Sequence, residues 1–310
     1  MLRTIFLLLL RNKNTTIQRI IIMKLHLECV PCYIRQALEA AKMATNDRKL
    51  HEQILRGSLI VASEFDAGGN GFILQAKIKK VMEKILPAAD PYREVKEKYN
   101  LIALGLMDGL KEIIRKSKDS FETSLRISLA GNIIDFGPDS DLNEKILKDA
   151  IEKSFSQNLD NKKVKLLQKN IHDAERILFI GDNAGEIVMD KIFIENLPGE
   201  KITYAVRGGP TLNDATMEDA KMVGMVDSVK VITTGLNMPS AILPFCSTNF
   251  LDEYKKADLI ISKGQGNYEA LCDEDKNIFF LLKVKCPLVA ENFKEKYEVG
   301  DIVIHSIRYT

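Results

Sequence analysis

The sequence predicts an α/β protein in which an all-helical N-terminal domain is followed by an α/β domain with a mainly parallel sheet. Hydrophobic residues recur with a helical period from about residue 30 to 172. From about residue 175 onwards, short apolar runs alternate with helical segments. The composition, with 45% hydrophobic and 28% charged residues, is typical of a globular chain. Its 310 residues suggest about two domains.

Apolar residues three and four positions apart predict a series of helices in the N-terminal half. The first spans Tyr33 to Ala41, where good helix formers dominate. Asp90-Pro91 is typical of an N-cap followed by proline at the first helical position, so a long helix is expected from there to Ile114. Further helices are expected within 54–65, 73–86, 121–130, 143–155 and 161–170. The pattern predicts no strand in this half.

Short apolar runs in the C-terminal half predict strands. The first ends in Gly181-Asp182-Asn183 and is followed by an amphipathic segment from Ile187 to Leu197. The runs lie at 176–180, 202–206, 229–232, 259–262, 279–284 and 302–304. Strands that alternate with helices indicate βαβ units, and therefore a Rossmann-like domain. The predicted boundaries are 23–172 for the helical domain and 173–310 for the α/β domain, which also carries the metal-binding residues discussed below.

Charge and hydropathy exclude several classes of protein. Lys and Arg number 44 against 43 Asp and Glu, a formal net charge of +1, which argues against a dedicated nucleic-acid-binding protein. No apolar run approaches the ~20 residues of a membrane-spanning helix, so no membrane partner is expected. The five cysteines are scattered and odd in number. They argue against a disulfide scaffold and favour a reduced, cytoplasmic protein.

Residues 1–22 are expected to be an upstream extension, disordered or not native, that adds nothing to the fold. The run from Phe6 to Leu10 resembles the core of a signal peptide, but it is short and no small-residue cleavage site follows it. Met23 offers a second start. A weak export signal is the alternative interpretation.

Polar and glycine residues gather at three predicted strand ends, where ligands bind in an open parallel sheet. In order, these ends carry Gly181-Asp182-Asn183, then Arg207-Gly208-Gly209-Pro210 with Asn213-Asp214 beyond it, then Lys263-Gly264-Gln265-Gly266-Asn267. Asp182, Asn183 and Asp214 form a hard oxygen-donor set that suits Mg²⁺ or Mn²⁺. Glycines and the two cations suit an anion. Each element alone is compatible with a turn or a helix cap, but together they predict a phosphate site.

Motif spacing argues against several enzyme classes. Gly181 to Gly185 does not form G-x-G-x-x-G, and neither a P-loop nor serine-hydrolase or H-E-x-x-H patterns occur. A haloacid-dehalogenase-like phosphatase would use Asp182 to Asp190 as its late acidic motif, but it needs an earlier Asp-x-Asp that this sequence lacks. No role is predicted for the dispersed histidines His26, His51, His172 and His305.

An ordered series of motifs extends over residues 23–307. It consists of Cys29-Val30-Pro31-Cys32, Asp90-Pro91-Tyr92, Gly131-Asn132-x-Ile134-Asp135, Gly181-Asp182-Asn183-Ala184-Gly185-Glu186, Arg207-Gly208-Gly209-Pro210 with Asn213-Asp214, Lys263-Gly264-Gln265-Gly266-Asn267-Tyr268-Glu269 and Lys285-Cys286. Together the motifs resemble the damage-control phosphatases, formerly a domain of unknown function. The resemblance is to the prokaryotic branch with an N-terminal CxxC and a C-terminal Lys-Cys.

This resemblance implies a metal-dependent phosphatase that acts on small phosphorylated metabolites, such as sugar phosphates or damaged phosphometabolites. It assigns a divalent ion (Mg²⁺, Mn²⁺, Co²⁺ or Ni²⁺) to Asp182, Asn183 and Asp214. It also implies substrate contacts from Lys263, Gly264, Gln265, Gly266 and Asn267, and from Asn132 of the helical domain. Arg207 and Lys285 are predicted as further substrate contacts because of their positive charge. The cations would stabilise phosphoryl oxygens, and the predicted catalytic residues are Asp182, Asn183, Asp214 and Lys263. Whether Asp182 is a nucleophile or only a ligand stays open.

The role of the cysteines also stays open. Cys29 and Cys32 begin the helical half, whereas a thioredoxin-type site needs a preceding strand. A zinc site needs four ligands, and the sequence holds no second close pair. Cys286 is a third partner if the two ends of the chain meet. Packing, soft-metal binding with Cys286 and redox chemistry are the alternatives.

Two other functions compete with phosphate-ester hydrolysis. Carboxyl methyltransferase activity has been proposed for eukaryotic relatives, but it needs an adenosine-binding strand end with an acidic residue on the next strand. The second predicted strand ends in Arg207 instead. A non-catalytic metal- or metabolite-binding protein would keep the metal site and show no turnover.

Overall fold

The computed structural model describes residues 25–66, 69–87, 90–133 and 144–309. In these residues the chain forms twelve α-helices and one six-stranded sheet, so the predicted α/β fold class is confirmed. The predicted extension, residues 1–22, lies outside the described residues, as do the motif residues Ile134 and Asp135. No helix in the described part of the chain is long and apolar enough to cross a membrane.

Seven described helices precede the first strand, where the helical period predicts them. They are α1 Cys29–Ala44, α2 Arg48–Ser63, α3 Gly71–Ile85, α4 Arg93–Lys116, α5 Ser120–Ile133, α6 Glu144–Ser156 and α7 Asn161–Asp173. Asp47, Asn70 and Asp160 cap α2, α3 and α7, because each side chain accepts a hydrogen bond from the backbone N–H two residues later. These bonds satisfy N–H groups that have no partner inside the helix.

The start of α4 differs from the sequence prediction. Oδ1 of Asp90 accepts a hydrogen bond from the backbone N–H of Tyr92 at 3.1 Å, and its carbonyl accepts one from Arg93 at 3.3 Å. These bonds close a turn, and the regular helix begins only at Arg93. Pro91 therefore lies in the turn ahead of the helix and not at its first position.

The sheet has the strand order β3-β2-β1-β4-β5-β6. Its strands are β1 Ile177–Ile180, β2 Ile202–Val206, β3 Lys230–Thr233, β4 Leu259–Lys263, β5 Ile278–Lys283 and β6 Ile302–Ser306. Five strands are parallel, and β6 pairs antiparallel with β5. The strand order changes direction between β1 and β4, which is the switch point where ligands bind in such sheets. Between the strands lie α8 Glu186–Ile194, α9 Met217–Met222, α10 Thr248–Lys256, α11 Gln265–Leu271 and α12 Pro287–Glu291.

Both faces of the sheet are buried under helices, as a parallel sheet requires. Phe179 of β1 belongs to a core shared with residues of α4 to α8. Its neighbours Leu178 and Ile180 belong to a second core with residues of α10, α11 and α12. A third and smaller core lies among α1, α2 and α3. The helices before β1 therefore form two groups, one packed on the sheet and one with its own core; the boundary at residues 172 and 173 stays a prediction.

Candidate active site

The predicted metal ligands meet at the carboxyl edge of the sheet because the segments after β1 and β2 pair through their backbones. Ala184 N donates a hydrogen bond to Asn213 O at 2.9 Å, and Ala215 N donates one to Asp182 O at 2.8 Å. Between these two bonds Asn183 and Asp214 form an isolated antiparallel bridge. The structure thus brings the Asp182-Asn183 turn beside Asp214.

Arg207 lies between the two aspartates and is fully buried. Its Nε donates to Oδ1 of Asp214 at 2.5 Å and its Nη2 to Oδ1 of Asp182 at 3.2 Å. Its Nη1 donates to Oδ1 of Asn267 at 3.1 Å. The side-chain nitrogen of Asn267 in turn donates to the carbonyls of Gly181 and Lys263, at 3.2 and 2.9 Å. Arg207 and Asn267, both predicted to bind substrate, therefore use their polar atoms in hydrogen bonds to the protein. They position the two carboxylates and the ends of β1 and β4.

Lys263 is also fully buried, and this placement differs from the sequence expectation. Its ammonium group donates to Oε1 of Glu186 at 2.8 Å, to Oδ1 of Asp190 at 2.7 Å, and to the carbonyl and the hydroxyl of Ser128, both at 2.8 Å. An ammonium group has three N–H donors, so these four acceptors leave none for a phosphoryl group. Here Lys263 forms ion pairs with two carboxylates of α8 and does not reach out to a ligand.

Two amides complete the surroundings of Asp182. The side-chain nitrogen of Asn183 donates to Oδ2 of Asp182 at 3.0 Å and to Oε2 of Glu186 at 3.1 Å. Asn132, at the end of α5, donates to both Glu186 oxygens at 3.2 Å and lies 3.5 Å from Oδ2 of Asp182. Its own oxygen accepts the backbone N–H of Lys283 at 2.8 Å. The helical half thus contributes a side chain to the site, as the resemblance implies.

The segment after β4 packs closely against the site and lies beside an exposed cation, Lys285, which follows β5. Gly264 has φ +81°, and a Cβ there would lie 2.0 Å from Oδ2 of Asp182. A Cβ on Gly266 would lie 2.7 Å from the carbonyl of Pro239. Oε1 of Gln265 accepts the backbone N–H of Lys285 at 2.8 Å, which fixes the backbone below the Lys285 side chain. Lys285 itself is exposed.

In the candidate site the carboxylates outnumber the buried cations. Burial, together with the charges of Asp214 and Glu186, raises the pKa of Asp182 to about 8. Burial also raises the pKa of Asp214, although Arg207 opposes the shift. Four carboxylates surround two buried cations: Asp182, Glu186, Asp190 and Asp214, with Arg207 and Lys263. When all four are ionised, the negative charges exceed the positive ones by two, which is the charge of a divalent cation.

The donor set fits such a cation. Oδ1 of Asp214 accepts from Arg207, and the side chain of Asn183 donates through its nitrogen, so Oδ2 of Asp214 and Oδ1 of Asn183 are the candidate oxygens for a ligand. No three His, Cys, Asp or Glu side chains of the described chain group closely enough to hold a metal by themselves. The candidate set is therefore two carboxylates and the Asn183 amide, all oxygen donors of the kind that hard divalent ions prefer.

The three motif cysteines lie close to one another, as expected if the two ends of the chain meet. Burial raises the pKa of Cys29, and the nearby groups Glu269, Cys286 and Cys32 raise it further. All three thiols are free. Gln265 links the cluster, because its side-chain nitrogen donates to Oε1 of Glu269 at 2.8 Å and to Sγ of Cys286 at 3.6 Å. In this structure the three cysteines do not group closely enough to hold a metal by themselves, and their role stays a prediction.

Several residues of the network carry no role in the sequence prediction. Glu186 and Asp190 are the partners of Lys263, and their spacing of four residues on one helix was a usable signal. Tyr204 donates to Oδ2 of Asp190 at 2.9 Å, and its position inside a strand gave no such signal. Asn100 of α4 accepts the backbone N–H of Gly185 at 2.7 Å and thereby holds the turn before α8.

Fold and site together define a Rossmann-like α/β protein with a carboxylate cluster at the switch point of its sheet. The sequence matches the family described as "Damage-control phosphatase ARMT1-like domain" over residues 25–299, and the chain belongs to this family. The predicted resemblance is therefore confirmed.

Individual relatives agree with this assignment. An uncharacterized protein of Methanocaldococcus jannaschii is 36% identical over 294 residues, which cover 91% of this chain and 95% of the relative. A damage-control phosphatase of Pyrococcus horikoshii is 35% identical over 277 residues, covering 88% and 95%. One of Archaeoglobus fulgidus is 32% identical over 291 residues, covering 91% and 98%. The crystal structure of a DUF89 family protein from Pyrococcus horikoshii superposes with a TM-score of 0.82 at 34% identity, covering 92% of this chain and 99% of that one.

Proposed function

We propose that the protein is a metal-dependent phosphatase that hydrolyses phosphate monoesters of small metabolites, with sugar phosphates and damaged phosphometabolites as candidate substrates. The proposal depends on the carboxylate cluster at the switch point, where burial and the charges of Asp214 and Glu186 raise the pKa of Asp182 to about 8. The names of two relatives, both damage-control phosphatases, support hydrolysis of a phosphate ester over other uses of such a site.

Asp182, Asn183 and Asp214 are the residues that would hold the ion. When bound, a divalent ion supplies positive charge that neutralises phosphate oxygens and polarises the phosphorus–oxygen bond. Arg207 keeps one oxygen of each aspartate in place through its bonds of 3.2 and 2.5 Å, and Gly264 leaves space for the Asp182 carboxylate. The exposed Lys285 is the cation best placed to contact a phosphate oxygen, because Arg207 and Lys263 are already paired.

Metal add-back tests the proposal. Protein stripped of metal with a chelator is assayed for phosphate release from a panel of phosphate monoesters, with Mg²⁺, Mn²⁺, Co²⁺ and Ni²⁺ added back separately. We expect release only after add-back. Undiminished release in excess chelator would contradict metal dependence. Metal binding without turnover, or methyl transfer to carboxylates in its place, would contradict the phosphatase proposal.

A further inference from the structure

A cavity of about 370 Å³ lies between the helices α1 and α3 and the loops that follow β2 and β3. Its volume falls in the range of small-molecule sites, about 300–1,000 Å³. Most of the lining is apolar, with contributions from Ala40, Ile78, Met82, Tyr92, Leu212 and Met238. Neither the metal set nor the phosphate contacts described above use this space.

The cavity adjoins the candidate metal set. Pro239 lines the cavity, and its carbonyl accepts a hydrogen bond from Nη2 of Arg207 at 3.2 Å. Thr211 also lines it, and its carbonyl accepts the backbone N–H of Asp214 at 3.1 Å. Burial lowers the pKa of Lys79 on the facing helix, whereas the charges of Glu83 and Asp214 act in the other direction. The charge of Asp214 therefore acts on Lys79 in the opposite wall of the cavity.

Polar groups in the wall are largely occupied by protein partners. The ammonium group of Lys79 donates to the carbonyls of Pro210, at 2.9 Å, and Asn237. Asp90 forms an ion pair with Lys96 at 3.2 Å. The hydroxyl groups of a sugar would therefore find few free partners, and moving them out of water without new hydrogen bonds would cost free energy.

Leu212, which also lines the cavity, has an unusual backbone conformation. It is the one residue other than glycine with positive φ in the described chain, at 45°. Bulky side chains rarely adopt this conformation, which asparagine or glycine would adopt with less strain. A leucine here places an apolar side chain on the cavity wall in the loop that leads from Arg207 to Asp214.

We propose that this cavity binds the alcohol portion of the substrate, and that this portion is elongated and largely apolar instead of polyhydroxylated. The inference rests on the proposed function and narrows its substrate class. In the reaction, water forms the new bond to phosphorus, the ester P–O bond breaks, and the leaving oxygen takes a proton, giving phosphate and an alcohol. The cavity would hold the carbon chain of that alcohol throughout.

A homologous series of n-alkyl phosphates, from methyl to hexyl, tests the inference with the ion that supports turnover. Each buried methylene should raise kcat/KM about fourfold until the cavity is filled. Glycerol phosphate and glucose 6-phosphate should remain well below the alkyl ester of equal length. A flat series, or sugar phosphates that exceed the alkyl esters, would overturn the inference and leave the phosphatase proposal intact. Absence of phosphate release from every ester would instead overturn the proposed function.

Substitutions in the cavity wall test whether this cavity causes the increase in kcat/KM with chain length. Ala40→Phe fills the cavity, whereas Ala44→Phe, one turn further along α1 and outside the lining, is the matched control. Leu212→Gly relaxes the left-handed backbone and removes one apolar side chain from the wall, so it should fold even if Ala40→Phe does not. We expect the fold increase in kcat/KM for each added methylene to fall towards one in Ala40→Phe and in Leu212→Gly. In Ala44→Phe it should stay about fourfold. Because the increase in kcat/KM per methylene compares two esters on the same variant, a general loss of activity would not change it. A parent-like gain in Leu212→Gly and in folded Ala40→Phe would overturn the inference.

Discussion

At the scale of single residues, the site depends on backbone that packs directly against charged groups. Gly264 shows this most clearly, because its φ of +81° and its contact with Asp182 each require a residue without Cβ. The sequence predicted that Gly264 belongs to a glycine-rich loop that contacts the substrate. It could not show that the loop instead leaves space for a carboxylate from another strand end, since that contact joins residues far apart in the chain.

Gly264→Ala should therefore impair catalysis and not only stability. Gly300→Ala is the matched control, since Gly300 also has positive φ, +106°, but no atom within 4 Å of its added Cβ. Both variants should lose about 1–3 kcal/mol of unfolding free energy from backbone strain. Only Gly264→Ala should displace Asp182 and lower kcat/KM, by about 10²-fold. Denaturant titration and kinetics on both variants check this, and equal kcat/KM values would contradict it.

His305 gives a residue-scale prediction about pH. Its ring packs against Phe293 and Tyr268, with centroids 5.0 and 6.0 Å apart, and burial lowers its pKa to about 4. The unfolded chain then binds a proton more readily than the folded one between pH 6.5 and about 4. The contribution of His305 to stability should be complete above this window and decline as the pH falls through it. Melting curves should show a smaller decline in His305→Phe; parallel declines in both proteins would exclude this role.

At the scale of elements, one buried network holds the α5, α8, β2 and β4 elements together. Glu186 and Asp190 lie one turn apart on α8 and face Lys263 at the end of β4. Ser128 of α5 donates to Oδ1 of Asp190 at 2.7 Å, and Tyr204 of β2 donates to Oδ2 at 2.9 Å. Removal of one partner from a buried ion pair leaves an uncompensated charge, which costs more than the pair contributes.

Lys263→Met tests this structural role against direct phosphate binding. We expect a loss of about 3–5 kcal/mol of unfolding free energy. Asp190→Asn in the same chain should restore part of it, because one unpaired carboxylate is then neutral. Denaturant unfolding of the two variants provides the measurement. Parent-like stability with a fall in kcat of about 10²–10³ would indicate instead that Lys263 acts on the phosphoryl group, as the sequence predicted.

At the scale of the whole molecule, parallel topology explains what the sequence could predict. Asp182, Asn183 and Asp214 follow two neighbouring strands, so the βαβ pattern alone brings them to one edge of the sheet. The burial of Lys263 was not predictable, because it depends on which face α8 turns to the sheet. That of Arg207 was not predictable either, because it depends on contacts with Asp214, Asn267 and Pro239 from separate segments. The separate core of α1 to α3 was also not predictable, since the helical period does not show what each helix packs against.

The N-terminal segment, residues 1–22, is predicted to be dispensable, and it lies outside the described residues. Its sequence has no amphipathic pattern that would join it to the helix after Cys32. A chain that starts at Met23 should keep the melting temperature and the phosphatase activity of the full chain. Calorimetry and kinetics on both chains check this. A marked loss in either property would show that the segment contributes to the fold or the site.

Phosphate-ester hydrolysis should depend on an ion held by the carboxylate cluster, and Asp182→Asn is the sharpest test of this dependence. Burial and the neighbouring carboxylates raise the pKa of Asp182 to about 8, so the neutral amide resembles the form favoured without metal. We therefore predict an unchanged or higher melting temperature for the metal-free variant, weaker metal binding, and loss of phosphate release at saturating substrate. Phosphate release at the parent rate by the folded variant would show that hydrolysis does not depend on an ion held by Asp182.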